Sequence, residues 1–146
     1  MIGLDTSFLV GLSVREHPAH EACLRIFDAE IRGGEGTMAL ASQVLAEFCH
    51  VVTDARRFER PLDVAEALEI SEQLWNAQEC RRVDVDGEVG ALFLTWMHTH
   101  RLGRKRLLDT LLAAAYHRAG VTRVATTDWR DFECYGVFEV ERLPIS

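Results

Sequence analysis

The sequence predicts an α/β fold, with a mainly parallel sheet covered by helices on both faces. Short apolar runs that lack polar alternation recur along the chain, and longer stretches with helical periodicity separate them. This alternation is typical of parallel strands joined by crossover helices, because both faces of such a sheet are buried. The chain has 146 residues, 48% of them hydrophobic, which is enough for a core. No linker or repeat divides it, so we expect one domain over residues 1–146.

The predicted strands are short runs rich in aliphatic and β-branched residues, each bounded by turn residues or by a helix. In chain order they cover residues 1–5, 37–41, 80–85, 121–127 and 137–143. The first and the fourth run each lead directly into an aspartate, Asp5 and Asp128. Since ligands of parallel sheets bind at the carboxyl ends of the strands, these two acids are candidates for a functional site.

The predicted helices carry apolar residues at spacings of three and four. In chain order they cover residues 6–12, 17–36, 42–58, 61–77, 86–100 and 107–120, and the second of these stretches is stopped by Gly33, Gly34 and Gly36. Local residues explain several of the ends: Ser42 is suited to an N-cap, Pro61 to a first turn and Gly120 to a C-terminal stop. Residues 101–106 are expected to form the loop before the last helix.

Composition limits the classes of function. The formal net charge is −7, which argues against a protein that coats nucleic acid non-specifically, because such binding needs a basic surface. The net charge is still compatible with an enzyme that binds nucleic acid through one local patch. No segment is long and apolar enough to span a bilayer, and the N-terminus lacks the features of a signal peptide, so we expect a cytoplasmic protein.

The cysteines and histidines do not form a zinc-binding pattern. The four cysteines are widely and irregularly spaced, at positions 23, 49, 80 and 134. This spacing favours buried free thiols in a reducing compartment over a disulfide framework or a zinc motif. Neither close pair of histidines, 17 with 20 or 98 with 100, has a companion ligand motif.

Several acids stand where carboxylates are unusual. Asp5 and Asp128 follow buried strands, and Asp131 comes three residues after Asp128. Glu47 lies at the edge of the apolar face of its helix, and Asp109 lies in the first turn of a helix that is apolar nearly all round, which should be covered on both sides. Each has an ordinary explanation as a cap, a solvated side chain or a partner of the helix dipole.

Taken together, these acids predict a cation site. Carboxylates gathered in one pocket repel each other, which costs stability unless a cation offsets their charge. Oxygen ligands without histidine or thiolate favour Mg²⁺ or Mn²⁺. Such sites hydrolyse phosphodiesters by neutralising charge and by activating a water molecule on the metal. We therefore expect Asp5, Glu47 and Asp109 to meet one or both of Asp128 and Asp131.

The chain resembles the PIN-domain ribonucleases, and in particular the VapC toxins of prokaryotic type II toxin–antitoxin pairs. The similarity rests on LDTSFLV at 4–10, LAEF at 45–48, LLDTLLAAAYHRAG at 107–120 and VATTDWRDF at 124–132. Each motif is weak alone, but four in this order, over nearly the whole chain, are fairly specific. The resemblance implies a PIN-like three-layer α/β/α sandwich with a central, mainly parallel sheet.

The same resemblance implies an active site. Asp5, Glu47 and Asp109 would be its principal catalytic acids and Asp128 the fourth, with Asp131 as the alternative. Asp5 and Asp109 would bind Mg²⁺ or Mn²⁺ directly, and Glu47 and Asp128 would hold a second ion or orient water molecules on the metal. The implied reaction is hydrolysis of a specific RNA, such as tRNA or ribosomal RNA. Family members usually form homodimers, and a cognate VapB-type antitoxin inhibits them.

One basic segment fits an RNA partner. Arg101, Arg104, Lys105 and Arg106 come shortly before Asp109 and could contact phosphates beside the acids. An ordinary solvated loop explains the same residues equally well.

The three tryptophans divide into two groups. Trp129 follows Asp128 directly and is the candidate for stacking on an RNA base. Trp75 and Trp96 are expected in the core or at a dimer interface, where Leu74 would join Trp75.

Two other classes of protein remain as alternatives: a phosphatase or phospho-receiver domain, and a non-catalytic binding module. A phosphatase of the haloacid-dehalogenase type has a second aspartate two residues after the first, where this chain has Ser7. A phospho-receiver domain needs a lysine on a late strand, whereas Lys105 lies in a predicted loop. A non-catalytic PIN-like binding module would keep the fold with a degenerate site, and the retained acids argue against it.

Overall fold

The computed structural model describes residues 1–145, and a five-stranded parallel sheet lies at its centre. The strands are β1 Ile2–Leu4, β2 Met38–Ala41, β3 Cys80–Val83, β4 Arg123–Thr126 and β5 Glu139–Arg142. They stand in the order β3–β2–β1–β4–β5, and each neighbouring pair is parallel. Every residue of β1 and β2 is buried, which explains why these strands lack polar alternation. The predicted α/β class is confirmed.

Seven α-helices of the described part of the chain cover the sheet. They are α1 Thr6–Ser13, α2 His20–Ile26, α3 Ser42–Val52, α4 Val64–Asn76, α5 Gly87–Thr99, α6 Leu107–Arg118 and α7 Trp129–Glu133. A π-helical turn, Phe27–Ile31, continues α2, and a 3₁₀ turn, Arg104–Arg106, leads into α6. The first four helices pack in one group and the last three in another, as two layers on a parallel sheet require.

The connections place a topological switch between β1 and β4. From β1 the chain moves outward to β2 and β3, then crosses back to β4 on the other side of β1 and continues to β5. Gly3 pairs with Val124 and Leu4 with Ala125, so the two central strands end side by side. Asp5 follows the first strand and Asp128 comes shortly after the second. The switch point therefore carries two of the predicted acids, at the edge where such sheets bind ligands.

A buried tyrosine ties α6 to the central strands. The Tyr116 hydroxyl donates hydrogen bonds to the backbone carbonyls of Leu4, at 2.5 Å, and Ala39, at 3.1 Å. Its ring lies over Gly3, where a Cβ atom would come within 2.9 Å of Tyr116 Cδ2. Glycine in this strand thus permits the close approach of the helix that carries Asp109.

Three helix ends differ from the prediction. Ser42 is the first residue of α3 rather than its cap, because Ala41 holds the extended cap position without a side-chain hydrogen bond. That helix ends at Val52, well before residue 58. Pro61 lies outside α4, whose cap is Asp63: its carboxylate accepts from the Glu66 amide, and Glu66 closes a capping box. The prediction overlooked this box in favour of the proline.

Other expectations were only partly met. All four cysteines are free, as predicted, but of these thiols, expected to be buried, only Cys23 is; two are half-buried and Cys134 is exposed. The start of α6 is also less covered than predicted, since Leu107 and Leu108 are exposed. None of the described helices has the length and apolar composition needed to cross a membrane.

Candidate active site

Asp5 lies at the buried end of β1 and is only 5% exposed. It occupies the N-cap position of α1, but its side chain makes no capping hydrogen bond. Instead, its Oδ2 accepts hydrogen bonds from Thr126 Oγ1, at 2.7 Å, and Ser7 Oγ, at 3.1 Å. Burial raises the pKa of Asp5 to about 6, although these hydroxyls lower it in part. The carboxylate is thus held for a purpose other than capping.

The two hydroxyl groups link Asp5 to the β4 end. Thr126 Oγ1 accepts from the Asp128 amide at 2.9 Å, and Ser7 Oγ accepts from the Thr127 amide at 3.0 Å. Each hydroxyl therefore donates to a carboxylate and accepts from the turn after β4. The sequence analysis assigned no role to Ser7 or Thr126. The signal available was a pair of hydroxyl residues at adjacent strand ends, which becomes meaningful only when β1 and β4 are known to be neighbours.

Glu47 comes from α3, at the edge of its apolar face, where it is half-buried as expected. Val44 and Phe48 on the same helix are fully buried and anchor α3 in the core. Thr6 Oγ1 donates to Glu47 Oε2 at 2.9 Å. Since Thr6 follows Asp5 in the chain, this hydrogen bond holds Glu47 beside the end of β1.

Asp109 is the most strongly perturbed of the acids. It lies in the first turn of α6, half-buried, where the helix dipole favours a carboxylate. Burial, and then the charges of neighbouring acids, nevertheless raise its pKa to about 7. The contributing neighbours, in decreasing order, are Asp5, Asp131, Glu47 and Asp128. Their charges act on Asp109 only because the fold brings all four close to it.

Asp128 and Asp131 flank the start of α7. Asp128 is exposed as a residue, yet partial burial of its carboxyl group and the charge of Asp131 raise its pKa. Asp131 is half-buried and faces Arg106, whose Nε lies 3.5 Å from Asp131 Oδ1. Both acids belong to the same cluster, but Asp131 has an internal cationic partner.

The structure therefore brings together the five acids that the sequence singled out. We call Asp5, Glu47, Asp109, Asp128 and Asp131 the acidic cluster. Its ligand atoms are all carboxylate oxygens, which suit Mg²⁺ or Mn²⁺. Burial, together with the repulsion between neighbouring acids, raises the pKa of Asp5, Asp109 and Asp128. Within residues 1–145, however, no three such side chains already have the geometry of a metal site. The composition of the cluster fits a divalent cation, and its side chains would have to draw together around one.

The basic segment before α6 is divided by the fold. Arg101, Arg104 and Lys105 are exposed, on the loop and 3₁₀ turn that precede Asp109. Arg106 instead points inward, with its side chain 20% exposed and directed to Asp131. The three exposed side chains are available to bind a polyanion, whereas Arg106 already contacts Asp131.

The tryptophans also separate. Trp96 is 9% exposed and stacks on Tyr135 with ring centroids 4.5 Å apart, so it belongs to the core. Trp75 is half-buried on α4, with the Arg82 guanidinium over its ring. Trp129 is half-buried beside Asp128, and Arg142 lies 5.6 Å from its ring centroid.

The acids of the cluster range from buried Asp5, which is 5% exposed, to exposed Asp128. The larger concavity of about 730 Å³ lies near the far ends of α1 and α3, and none of the five acids lines it.

Comparison with known proteins places these features in context. A family model described as PIN domain matches residues 2–136. Ribonuclease VapC24 from Mycobacterium tuberculosis is 29% identical over 145 residues, covering 96% of this chain and 94% of the relative.

Solved structures agree in fold. VapC20 from Mycobacterium tuberculosis, described as a sarcin–ricin loop cleaving toxin, matches with a TM-score of 0.73 at 19% identity, covering 99% of this chain and 100% of that one. A toxin–antitoxin complex from Klebsiella pneumoniae contains a chain that matches with a TM-score of 0.59 at 12% identity, covering 90% of both. At these identities, the match concerns the fold alone.

Proposed function

Because the chain belongs to the PIN-domain family, we propose that it is a metal-dependent endoribonuclease of the VapC type, the toxin of a VapBC-type toxin–antitoxin pair. The observation that carries the proposal is the acidic cluster, in which burial and neighbouring charges raise the pKa of Asp109 to about 7. A fold does not specify a function by itself. Five acids gathered around Asp109 do favour catalysis over a non-catalytic PIN-like module.

In this proposal Asp5 and Asp109 bind Mg²⁺ or Mn²⁺, and Glu47 and Asp128 hold a second ion or orient water. The cation would supply neutralisation of the charge that develops on the scissile phosphodiester. The chain supplies orientation: Thr126 and Ser7 hold Asp5, and Thr6 holds Glu47. These hydrogen bonds limit the positions that the two carboxylates can take before RNA arrives.

We favour Asp128 over Asp131 as the fourth acid. Asp131 faces the Arg106 guanidinium at 3.5 Å, so part of its charge is already neutralised. No salt bridge within residues 1–145 involves Asp128. Its backbone amide is fixed by Thr126, which also holds Asp5.

The RNA would approach the cluster across the basic segment. Arg101, Arg104 and Lys105 are exposed beside the start of α6, where phosphate contacts would add to affinity without reading sequence. Structured tRNA or ribosomal RNA is the substrate class we propose, and the VapC20 neighbour is itself described as cleaving the sarcin–ricin loop.

A protein partner completes the proposal. The Klebsiella neighbour is part of a toxin–antitoxin complex, and we propose a cognate VapB-like antitoxin for this chain, in the cytoplasm. We also propose a homodimer, supported by apolar side chains on α4. Val64 and Leu68 are 60% and 55% exposed, and Trp75 of the same helix is half-buried, a pattern typical of surfaces that associate.

A cleavage assay with a charge-matched control tests the activity. The purified chain is incubated with tRNA and ribosomal RNA in Mn²⁺ and in EDTA. We expect cleavage in Mn²⁺ that Asp109→Asn lowers more than about a hundredfold, since a ligand is lost. Glu35→Gln, which removes one exposed loop charge, should cleave like the parent.

Two outcomes would reject the proposed ribonuclease. If the parent cleaves no RNA, the non-catalytic alternative gains support, and hydrolysis of a phosphate monoester would instead favour a phosphatase. If Asp109→Asn cleaves as fast as Glu35→Gln, the acidic cluster is not the site of the reaction.

A further inference from the structure

Arg106 differs from the other basic residues of its segment in what its side chain contacts. Its Nη2 donates to the Asp131 backbone carbonyl and, at 3.1 Å, to the Tyr135 hydroxyl. Its Nε lies 3.5 Å from Asp131 Oδ1, an ion-pair distance without hydrogen-bond geometry. The guanidinium also lies 5.9 Å from the centroid of the Tyr135 ring. Arg106 is therefore fastened to the segment that begins at α7.

The same contacts reach the residue beside Asp109. Thr110 is fully buried, and its Oγ1 lies 2.7 Å from the Tyr135 hydroxyl. Tyr135 is held in turn by its stacking on Trp96. We call Arg106, Thr110, Asp131 and Tyr135 the α6–α7 clamp, because their contacts join the first turn of α6 to α7 and the residues after it.

The segment that carries two of the acids needs such a clamp. α7 has five residues and no side-chain hydrogen bond at its N-cap, so its own structure contributes little stability. The charge of Asp131 also opposes that of Asp109, which favours their separation. A guanidinium beside Asp131 offsets this repulsion, and its Nη2 group holds the Asp131 backbone carbonyl by a hydrogen bond.

We propose that Arg106 is a positioning residue, which holds α7 and its acids Asp128 and Asp131 against the start of α6, and that it does not contact RNA. The proposal rests on the ribonuclease function proposed above. Contact with an RNA phosphate through Nη2 or Nε would require Arg106 to leave Asp131 and Tyr135, and would leave Asp131 without its cationic partner. The exposed neighbours Arg104 and Lys105 can contact a phosphate without this loss.

Kinetics distinguish positioning from substrate binding. In Arg106→Gln we expect kcat to fall at least about tenfold with KM little changed, because misplaced acids slow the chemical step. In Arg104→Gln, two residues away, we expect KM to rise with kcat little changed. Arg106→Lys, which keeps a charge but not the fork, should have an intermediate kcat. If Arg106→Gln raises KM alone, as Arg104→Gln does, Arg106 is an RNA contact and the proposal is wrong.

A double mutant tests whether Arg106 acts through Asp131. In an Asp131→Asn background, the further change Arg106→Gln should lower kcat clearly less than it does in the parent. An equal loss in both backgrounds would show that Arg106 acts by another route and would overturn the proposal.

Hydrogen exchange of the metal-free chain tests the clamp without any activity. Backbone amides of residues 129–133 should exchange faster in Arg106→Gln than in the parent. The amides of β2 in Arg106→Gln, and those of residues 129–133 in Arg104→Gln, should exchange as they do in the parent. If Arg106→Gln does not fold, Arg106→Lys is compared in the same way. Unchanged exchange at 129–133 would contradict the clamp, whereas a parent that cleaves no RNA yet shows the faster exchange in the variant would reject only the ribonuclease function.

Discussion

At the residue scale, Asp109 is subject to opposing effects on its charge. The first turn of α6 favours a carboxylate through the helix dipole, but burial and four neighbouring acids raise its pKa to about 7. Asp5 shows a similar balance, with burial raising its pKa to about 6 despite hydrogen bonds from two hydroxyls. Both residues are therefore costly to keep ionised, as expected where function rather than stability determines the residue.

The first prediction concerns pH and the metal-free chain. The unfolded chain has ordinary aspartates, so between about pH 4 and about pH 7 the folded chain binds more protons at Asp109 and Asp5. The free energy of unfolding should therefore fall as pH rises through this window. In EDTA, Asp109→Asn should show a shallower fall than the parent by chemical denaturation at pH 5 and pH 8. An equal or steeper fall would contradict the raised pKa.

The role of a residue could be predicted from the sequence only where it depends on neighbouring residues in the chain. Asp5 and Asp109 were recognisable because a strand end and an apolar helix are visible in the sequence. The inward direction of Arg106 was not, since it depends on where α7 lies, and a five-residue helix has too little periodicity to predict. The hydroxyls of Ser7 and Thr126 were missed for the same reason: the residues are 119 positions apart.

At the element scale, the pattern of strands and helices was predictable because short, continuously apolar runs differ clearly from longer stretches with a period of 3.6 residues. The ends of the helices were less predictable, because several neighbouring residues are suited to the same N-cap position. Ser42 was a good cap by type, but the extended backbone at Ala41 already starts α3. Upstream of α4, the capping box of Asp63 and Glu66 starts the helix rather than Pro61.

The corrected start of α4 yields the second prediction. Asp63→Ala removes the acceptor of the Glu66 amide hydrogen bond and should lower the free energy of unfolding by about 0.5–2 kcal/mol. Asp63→Asn keeps a capping oxygen and should cost less. RNA cleavage should be little changed in both variants, because Asp63 is exposed and lies outside the acidic cluster. Equal stability of Asp63→Ala and the parent, by urea denaturation, would show that the helix starts elsewhere.

At the scale of the whole molecule, the charge distribution matters more than its sum. A net charge of −7 opposes RNA, so the few exposed cations beside the site must supply most of the local attraction. Arg101, Arg104 and Lys105 are such cations. In the proposed function, the acids that would hold the metal lie beside these exposed cations, which would align an RNA segment with them.

The third prediction follows from counterion release. Replacing both Arg104 and Lys105 with Gln should weaken RNA binding. It should also reduce the slope of the logarithm of the binding constant against the logarithm of salt concentration, by about 0.7 per lost single-strand phosphate contact. Fluorescence anisotropy with a labelled RNA, in EDTA so that cleavage is absent, measures this slope. An unchanged slope would mean that these residues are an ordinary solvated turn.

The central claim is that the acidic cluster is a cation site, and thermal melting with and without Mn²⁺ tests it most directly. Binding to the folded state should raise the Tm of the parent by several degrees at saturating Mn²⁺, through mass action. Glu35→Gln should show the same rise. Mn²⁺ should raise the Tm of Asp109→Asn much less than that of the parent. In EDTA, the Tm of Asp109→Asn should be equal to or above that of the parent, because one repelling charge is gone. An equal Mn²⁺-dependent rise in Asp109→Asn and the parent, or no rise in the parent, would contradict the account.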